Sequence, residues 1–129
     1  MKRIIITSSC VRFKPLEKPI ALMVKTLMEE MSIEGFLEIS LVDGNRMNKN
    51  VLAYQGSADF PRPDITGTFL GEIYLNPTYI KKHQESLTFM VIHGFLHTVG
   101  YDHMKRNDRI KMEKKEGQLF KKLKGLSLD

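Results

Sequence analysis

Apolar positions along the chain change period several times, and each change marks an element. Arg3-Ile4-Ile5-Ile6-Thr7 is a β-branched run that predicts a short strand. Leu16, Ile20, Met23, Val24, Leu27, Met28 and Met31 recur at the helical period and predict a helix over 16–31, with its methionines as core filler. After Gly35, alternation of Leu37, Ile39 and Leu41 with Phe36, Glu38 and Ser40 predicts a strand over 36–42. Asp43-Gly44-Asn45 is a turn signal, and Val51–Tyr54 reads as a short strand. Residues 55–68 carry Gly56, Pro61, Pro63 and Gly67 and predict a loop, followed by a strand over 69–75 that Asn76-Pro77 ends. Residues 84–99 form the most apolar helical segment, and Gly100 supplies its stop. Met112, Leu119, Phe120 and Leu123 place a last helix over 107–122, with Asn107 or Asp108 as its N-cap. Four strands and three main helices in mixed order predict an α+β domain of two or three layers.

The chain of 129 residues suits one domain with one core, 1–129, and 42% apolar against 27% charged residues is the balance of a soluble globular protein. No apolar run approaches the roughly 18–20 residues of a membrane span. Met1-Lys2-Arg3 precedes only three isoleucines before Thr7, Ser8 and Ser9, which does not fit a signal peptide. Cys10 is the only cysteine, so a disulfide framework and a cysteine-rich zinc module are both excluded, and a reducing cytoplasm is expected. Net charge is +5, and it is unevenly placed. Residues 105–124 hold nine basic and three acidic side chains, a local +6, and the rest of the chain sums to −1. That segment reads either as a solvated helix face or as a flank that binds a polyanion, with Lys114, Lys115, Lys121 and Lys122 as its phosphate contacts.

Three of the four histidines fall between residues 93 and 103. His93 and His97 are one turn apart on the predicted helix, about 5–6 Å between Cβ atoms, close enough for both rings to reach one metal. Gly100 can take a left-handed conformation and return the chain so that His103 approaches the same point. Met90, Val91, Ile92, Phe95 and Leu96 surround two imidazoles that need partners in such a setting. The pattern predicts one transition metal per chain, held by His93, His97 and His103. Zinc is favoured over Mg²⁺ by the nitrogen donors, with Ni²⁺ or Cu²⁺ as competitors in vitro, and a fourth position stays open. His83, beside Lys81 and Lys82, reads as a surface residue.

The spacing H-x₃-H-x₂-G-x₂-H matches metzincin proteases, which carry a glutamate general base directly after the first histidine. Here that residue is Gly94, which argues against peptide hydrolysis; a carboxylate installed there is expected to restore some of that chemistry. The run His93-Gly94-x-Leu96-His97-x-x-Gly100-Tyr101-Asp102-His103 resembles the signature of the YbeY-type proteins, bacterial rRNA maturation factors and single-strand-specific, metal-dependent endoribonucleases. Leu70-Gly71-Glu72-Ile73 resembles the L-G-D-I strand of that family, with Glu for Asp, and Met112 and Glu116 match a Met-x₃-Glu pattern in its last helix. The resemblance implies an α+β fold with a small four-stranded sheet packed with helices and a zinc on the three histidines. It also implies single-stranded RNA substrates drawn from rRNA precursors, a role in rRNA maturation and ribosome quality control, and small-subunit ribosomal proteins as partners.

One segment departs from the family. Where its members carry N-x-x-Y-R before P-T-D-V-L-S-F, this chain has Met47-Asn48-Lys49-Asn50-Val51-Leu52-Ala53-Tyr54, without the tyrosine-arginine pair. Arg46 and Lys49 are the candidates to replace the missing arginine as phosphate contacts. No proton acceptor stands out. The catalytic residue is open, with Asp102 and Glu72 as weak candidates and Glu116 beside them; Asp102 reads rather as a partner that orients an imidazole. The preferred reading is a zinc-dependent endoribonuclease. The alternatives are a non-catalytic RNA- or ribosome-binding factor with a structural metal and, more remotely, a metallopeptidase.

Overall fold

A computed structural model of the chain describes residues 2–44, 47–56 and 68–129. Its strands are β1 (Lys2–Ser8), β2 (Gly35–Leu41), β3 (Val51–Gln55) and β4 (Phe69–Leu75). The helices are α1 (Lys14–Glu30), α2 (Pro77–Lys82), α3 (Leu87–Thr98) and α4 (Arg106–Lys122), with single 3₁₀ turns at Val11–Phe13 and Lys124–Leu126. The four strands form one mixed sheet in the order β1-β2-β4-β3. β1, β2 and β4 run parallel, which requires long crossovers such as α1, and β3 pairs antiparallel at the edge. The α+β class read from the element pattern is the observed one.

Strand alternation decides which side of the sheet is covered. Leu37, Ile39, Leu41, Ile73 and Leu75 are buried against α1 and α3, whose own buried residues include Ile20, Met23, Val24, Leu27, Met28, Val91, Ile92, Phe95 and Leu96. α4 packs on α3 through Met112, Glu116 and Leu119, and so forms an outer layer. The opposite side of the sheet, with Thr7, Ser40, Tyr54 and Tyr74, walls an open polar cleft of about 1030 Å³. Between β2 and β4 the register slips, with Phe36 opposite Phe69 but Leu37 opposite Gly71. The extra residue bends β4. Gly71 is needed there: its φ is +149°, and a Cβ would stand 2.1 Å from the Tyr54 carbonyl oxygen.

Several boundaries differ from the sequence reading. Asn76-Pro77 ends β4 but also starts α2: the fully buried Asn76 accepts the Tyr79 N–H at 3.0 Å, with proline at the first helical position. α3 begins at Leu87 rather than Gln84, because Ser86 is its cap and accepts the Phe89 N–H at 3.1 Å. Asp129 adds a second acceptor for that end, taking the Leu87 N–H at 2.6 Å. Neither Asn107 nor Asp108 caps α4. Lys105 holds the cap position with no side-chain bond, and Asp108 lies inside the first turn, where its charge suits the helix dipole. Of the predicted loop over 55–68, residues 57–67 lie outside the described residues, as do Asn45 and Arg46.

Candidate metal centre

The sheet fixes α3 through a close contact. A Cβ on Gly94 would lie 2.9 Å from Ile73 Cγ2 and 3.2 Å from Val51 Cγ2, so the helix seats directly on β4 and β3 at this residue. His93 and His97 then project from a different side of the helix. The helix ends in a Schellman turn, in which Tyr101 N–H donates to the Leu96 carbonyl at 3.0 Å and Gly100 N–H to the His97 carbonyl at 3.3 Å. Gly100 has φ +104°, the conformation expected of it. Asp102 follows, and its Oδ1 accepts the backbone N–H of His103 at 2.7 Å and of Met104 at 3.1 Å. This turn brings His103 back over the end of α3.

The three imidazoles converge. His97 Nε2 lies 3.2 Å from His93 Nε2 and 3.1 Å from His103 Nδ1, near the separation of about 3.3–3.4 Å for nitrogens bound tetrahedrally at about 2.0–2.1 Å. All three candidate ligand atoms fall within 4.8 Å of one another. His93 Nδ1 lies 2.6 Å from Glu116 Oε2, a contact that places its proton on Nδ1 and leaves a lone pair on Nε2. Burial, followed by the neighbouring His93 and His103, lowers the pKa of His97, against the opposing pull of Asp102 and a backbone hydrogen bond with Tyr101. His97 Nε2 either holds one proton or offers one lone pair, yet it faces two ring nitrogens, so only one of the two short contacts can be a hydrogen bond. A cation at the centre resolves this, and the donor set fits a transition metal.

The surroundings hold the rings rather than react. Glu116 is 4% exposed, and Phe89 stacks along His93 at 6.4 Å between ring centres while meeting Phe120 edge-on at 6.0 Å. His103 is exposed, so the centre opens to solvent on that side. The sequence pattern favours Asp102 over Glu116 as the residue that orients an imidazole. In the fold Glu116 touches an imidazole, and the hydrogen bonds of Asp102 shape the ligand-bearing turn. The Met-x₃-Glu spacing on an amphipathic last helix was the available signal for Glu116. Glu72 sits between Gly71 and Ile73, which both face α3, and so points to the other side of the sheet, where its Oε2 accepts from the Tyr74 hydroxyl at 3.0 Å. That hydrogen bond is the main cause of a raised Tyr74 pKa. Position 94, where metzincins carry their general base, is also tightly packed, because a Cβ there would press on Ile73 and Val51.

The candidate RNA contacts are dispersed. Lys49 lines the polar cleft on the uncovered sheet side with Ser8, Ser9 and Ser40, and none of the three histidines lines that cleft. Arg46 lies outside the described residues. Lys114 and Lys121 are exposed on α4, Lys115 is half-buried, and Lys122 is paired with Glu30 of α1 at 2.8 Å. His83 is exposed and stacks on Tyr79, away from the centre.

An α+β domain carrying three convergent histidines, backed by a buried carboxylate, has the side-chain arrangement that suits a metal ion. The profile of the family described as Endoribonuclease YbeY matches residues 10–124. The endoribonuclease YbeY of Bartonella henselae is 30% identical over 124 aligned positions, covering 77% of each chain, and that of Bartonella quintana is 31% identical over 122 positions with the same coverage. The endoribonuclease YbeY of Neorickettsia sennetsu is 48% identical over 42 residues, a third of this chain (33%). The chain belongs to the YbeY endoribonuclease family, a family of RNA-hydrolysing nucleases.

Proposed function

We propose that residues 1–129 form one hydrolase domain, a zinc-dependent endoribonuclease that cuts single-stranded RNA, with rRNA precursors as substrate. The observation that carries this reading is the convergence of His93 Nε2, His97 Nε2 and His103 Nδ1, in a chain of this family. Three protein ligands leave one position for water or substrate, as in catalytic rather than structural zinc sites. When bound there, zinc supplies a Lewis acid for a phosphoryl oxygen and lowers the pKa of bound water to about 7. Glu116 holds the His93 ring in the ligating tautomer, and Phe89 limits its rotation. His103, on the solvent side, faces the entering strand. The lysines of α4 attract RNA through its phosphates, which makes binding salt-dependent. No side chain among the described residues presents itself as general base, and the 2′-hydroxyl of RNA offers an internal nucleophile that lessens the need for one. Family membership supports a place in rRNA maturation and ribosome quality control, in the cytoplasm and alongside small-subunit ribosomal proteins.

The test is cleavage of unstructured and duplex RNA of equal length by metal-loaded protein, with a chelator control and His97→Ala. Chelator-sensitive cutting of the unstructured strand is expected, at a low rate because the family tyrosine-arginine pair is absent, with no cleavage of unfolded protein. RNA binding without turnover would instead favour a non-catalytic binding factor. Proteolysis with inert RNA would refute both.

A further inference from the structure

Gly117 lies in the interior of α4, a poor place for glycine unless the backbone needs its smallness. Nothing among the described residues needs it: none of their heavy atoms lies within 4 Å of where its Cβ would stand, and it has no positive φ. At 100° per residue its side of the helix is turned about 100–160° away from the buried Met112, Glu116, Leu119 and Leu123. Lys114, three residues before, and Lys121, four after, share that side. Both are exposed, and neither forms an ion pair among the described residues, unlike Lys122. Ile110, seven residues before, adds an apolar side chain that is 51% exposed, and Glu113 is the one acid beside them. The result is a notch of bare backbone between two exposed lysines, on the side of α4 turned away from Glu116 and the histidines.

We propose that this outward face of α4 is an RNA-binding surface, on which the sugar-phosphate backbone of a single strand lies directly against Gly117, with Lys114 and Lys121 as its phosphate contacts. This rests on the reading of the chain as an RNA enzyme and adds where the strand runs. The charge of the face selects a polyanion, and the missing Cβ lets it approach until both ammonium groups reach phosphate oxygens. Lys115 and Lys122 line a hollow beside Glu30 of α1, which Lys121 also borders, and are outside the surface.

The prediction separates stability from binding. Gly117→Ala fills open space in a helix and is expected to raise Tm by about 3–5 °C. The same change is expected to weaken binding of a fluorescently labelled single-stranded oligoribonucleotide, and Gly117→Leu to weaken it by about tenfold or more, as the strand is lifted off its contacts. Replacing Lys114 and Lys121 by alanine should flatten the dependence of log affinity on log salt by about 1.4, two single-strand phosphate contacts. In that background Gly117→Leu should have little further effect. Gly125→Ala, at another open glycine outside α4, is the matched control and should bind as the parent does. If the parent protein binds and cuts RNA while the Gly117 variants bind it equally well, this inference is overturned and the proposed activity stands. If the parent neither binds nor cuts RNA, the activity itself fails, and the surface with it.

Discussion

Replacing Glu116 by glutamine tests the reading of the centre at the residue that touches no metal. The carboxylate is 4% exposed and lies 2.6 Å from His93 Nδ1, the short range of a charge-assisted bond. Glutamine keeps the shape, and its amide oxygen can still accept the Nδ1 proton, so the ring stays in place. What is lost is charge. A bond to a charged group is worth about 1.5–3 kcal/mol, against about 0.5–1.5 kcal/mol for a neutral one, so the orienting interaction falls by roughly half. His93 becomes a poorer donor, and losses of this kind weaken metal affinity about 10–100-fold, or about 1.4–2.8 kcal/mol. The assay is a competition titration of zinc between protein and a chromophoric chelator at fixed pH. Thermal melts of the metal-free proteins should nearly coincide, because removing a buried charge also removes its desolvation penalty. Zinc affinity within twofold of the parent would refute the reasoning, for then Glu116 is a packing residue that happens to lie near a histidine.

His97→Ala should lose most bound metal, measured by elemental analysis against an expected one ion per chain, and should lose the rise in Tm that added zinc gives the parent. Gly94→Glu should not create a peptidase; forcing a carboxylate between Ile73 and Val51 should lower unfolding free energy in urea by several kcal/mol, since overpacking alone costs about 1–3 kcal/mol and the charge would be buried. Tyr74 should ionise above the usual value of about 10 in an ultraviolet absorbance titration, because Glu72 accepts its proton. Its raised pKa favours the neutral phenol in the fold, so its contribution is fully present below the unfolded value and is lost as pH rises through the folded one. Glu72→Gln should move that ionisation back toward 10; no movement would contradict the assigned cause.

Elements set by local period were legible in the chain. The β-branched run of β1, the helical-period apolar positions of α1 and the alternation in β2 each carry their own burial pattern. The turn at Gly100 was equally local, since only residues 96–101 make it. Glu116 was not legible in the same way: its meeting with His93 spans 23 residues and depends on how α4 docks on α3, which neither helix encodes alone. Lys122 shows the same limit over a longer span. Its sequence neighbours are other cations, but its partner is Glu30 at the end of α1. α2 was missed for a different reason. Asn-Pro is ambiguous between a strand stop and a helix start, and the choice is made by Asn76, whose Nδ2 donates to the Met47 carbonyl at 2.6 Å while its Oδ1 caps the helix.

The seating of Gly94 against Ile73 and Val51 also bears on how this scaffold can change over generations. A histidine array of this spacing stands, on paper, one substitution from the protease pattern. In the folded chain that step is strained, because a Cβ at position 94 would stand 2.9 Å from Ile73 Cγ2 and 3.2 Å from Val51 Cγ2. Reaching the other chemistry would take coordinated shrinkage on two strands, or rotation of α3, and rotation would carry His93 and His97 away from His103. The packing of one glycine thus stands as a barrier between neighbouring chemistries.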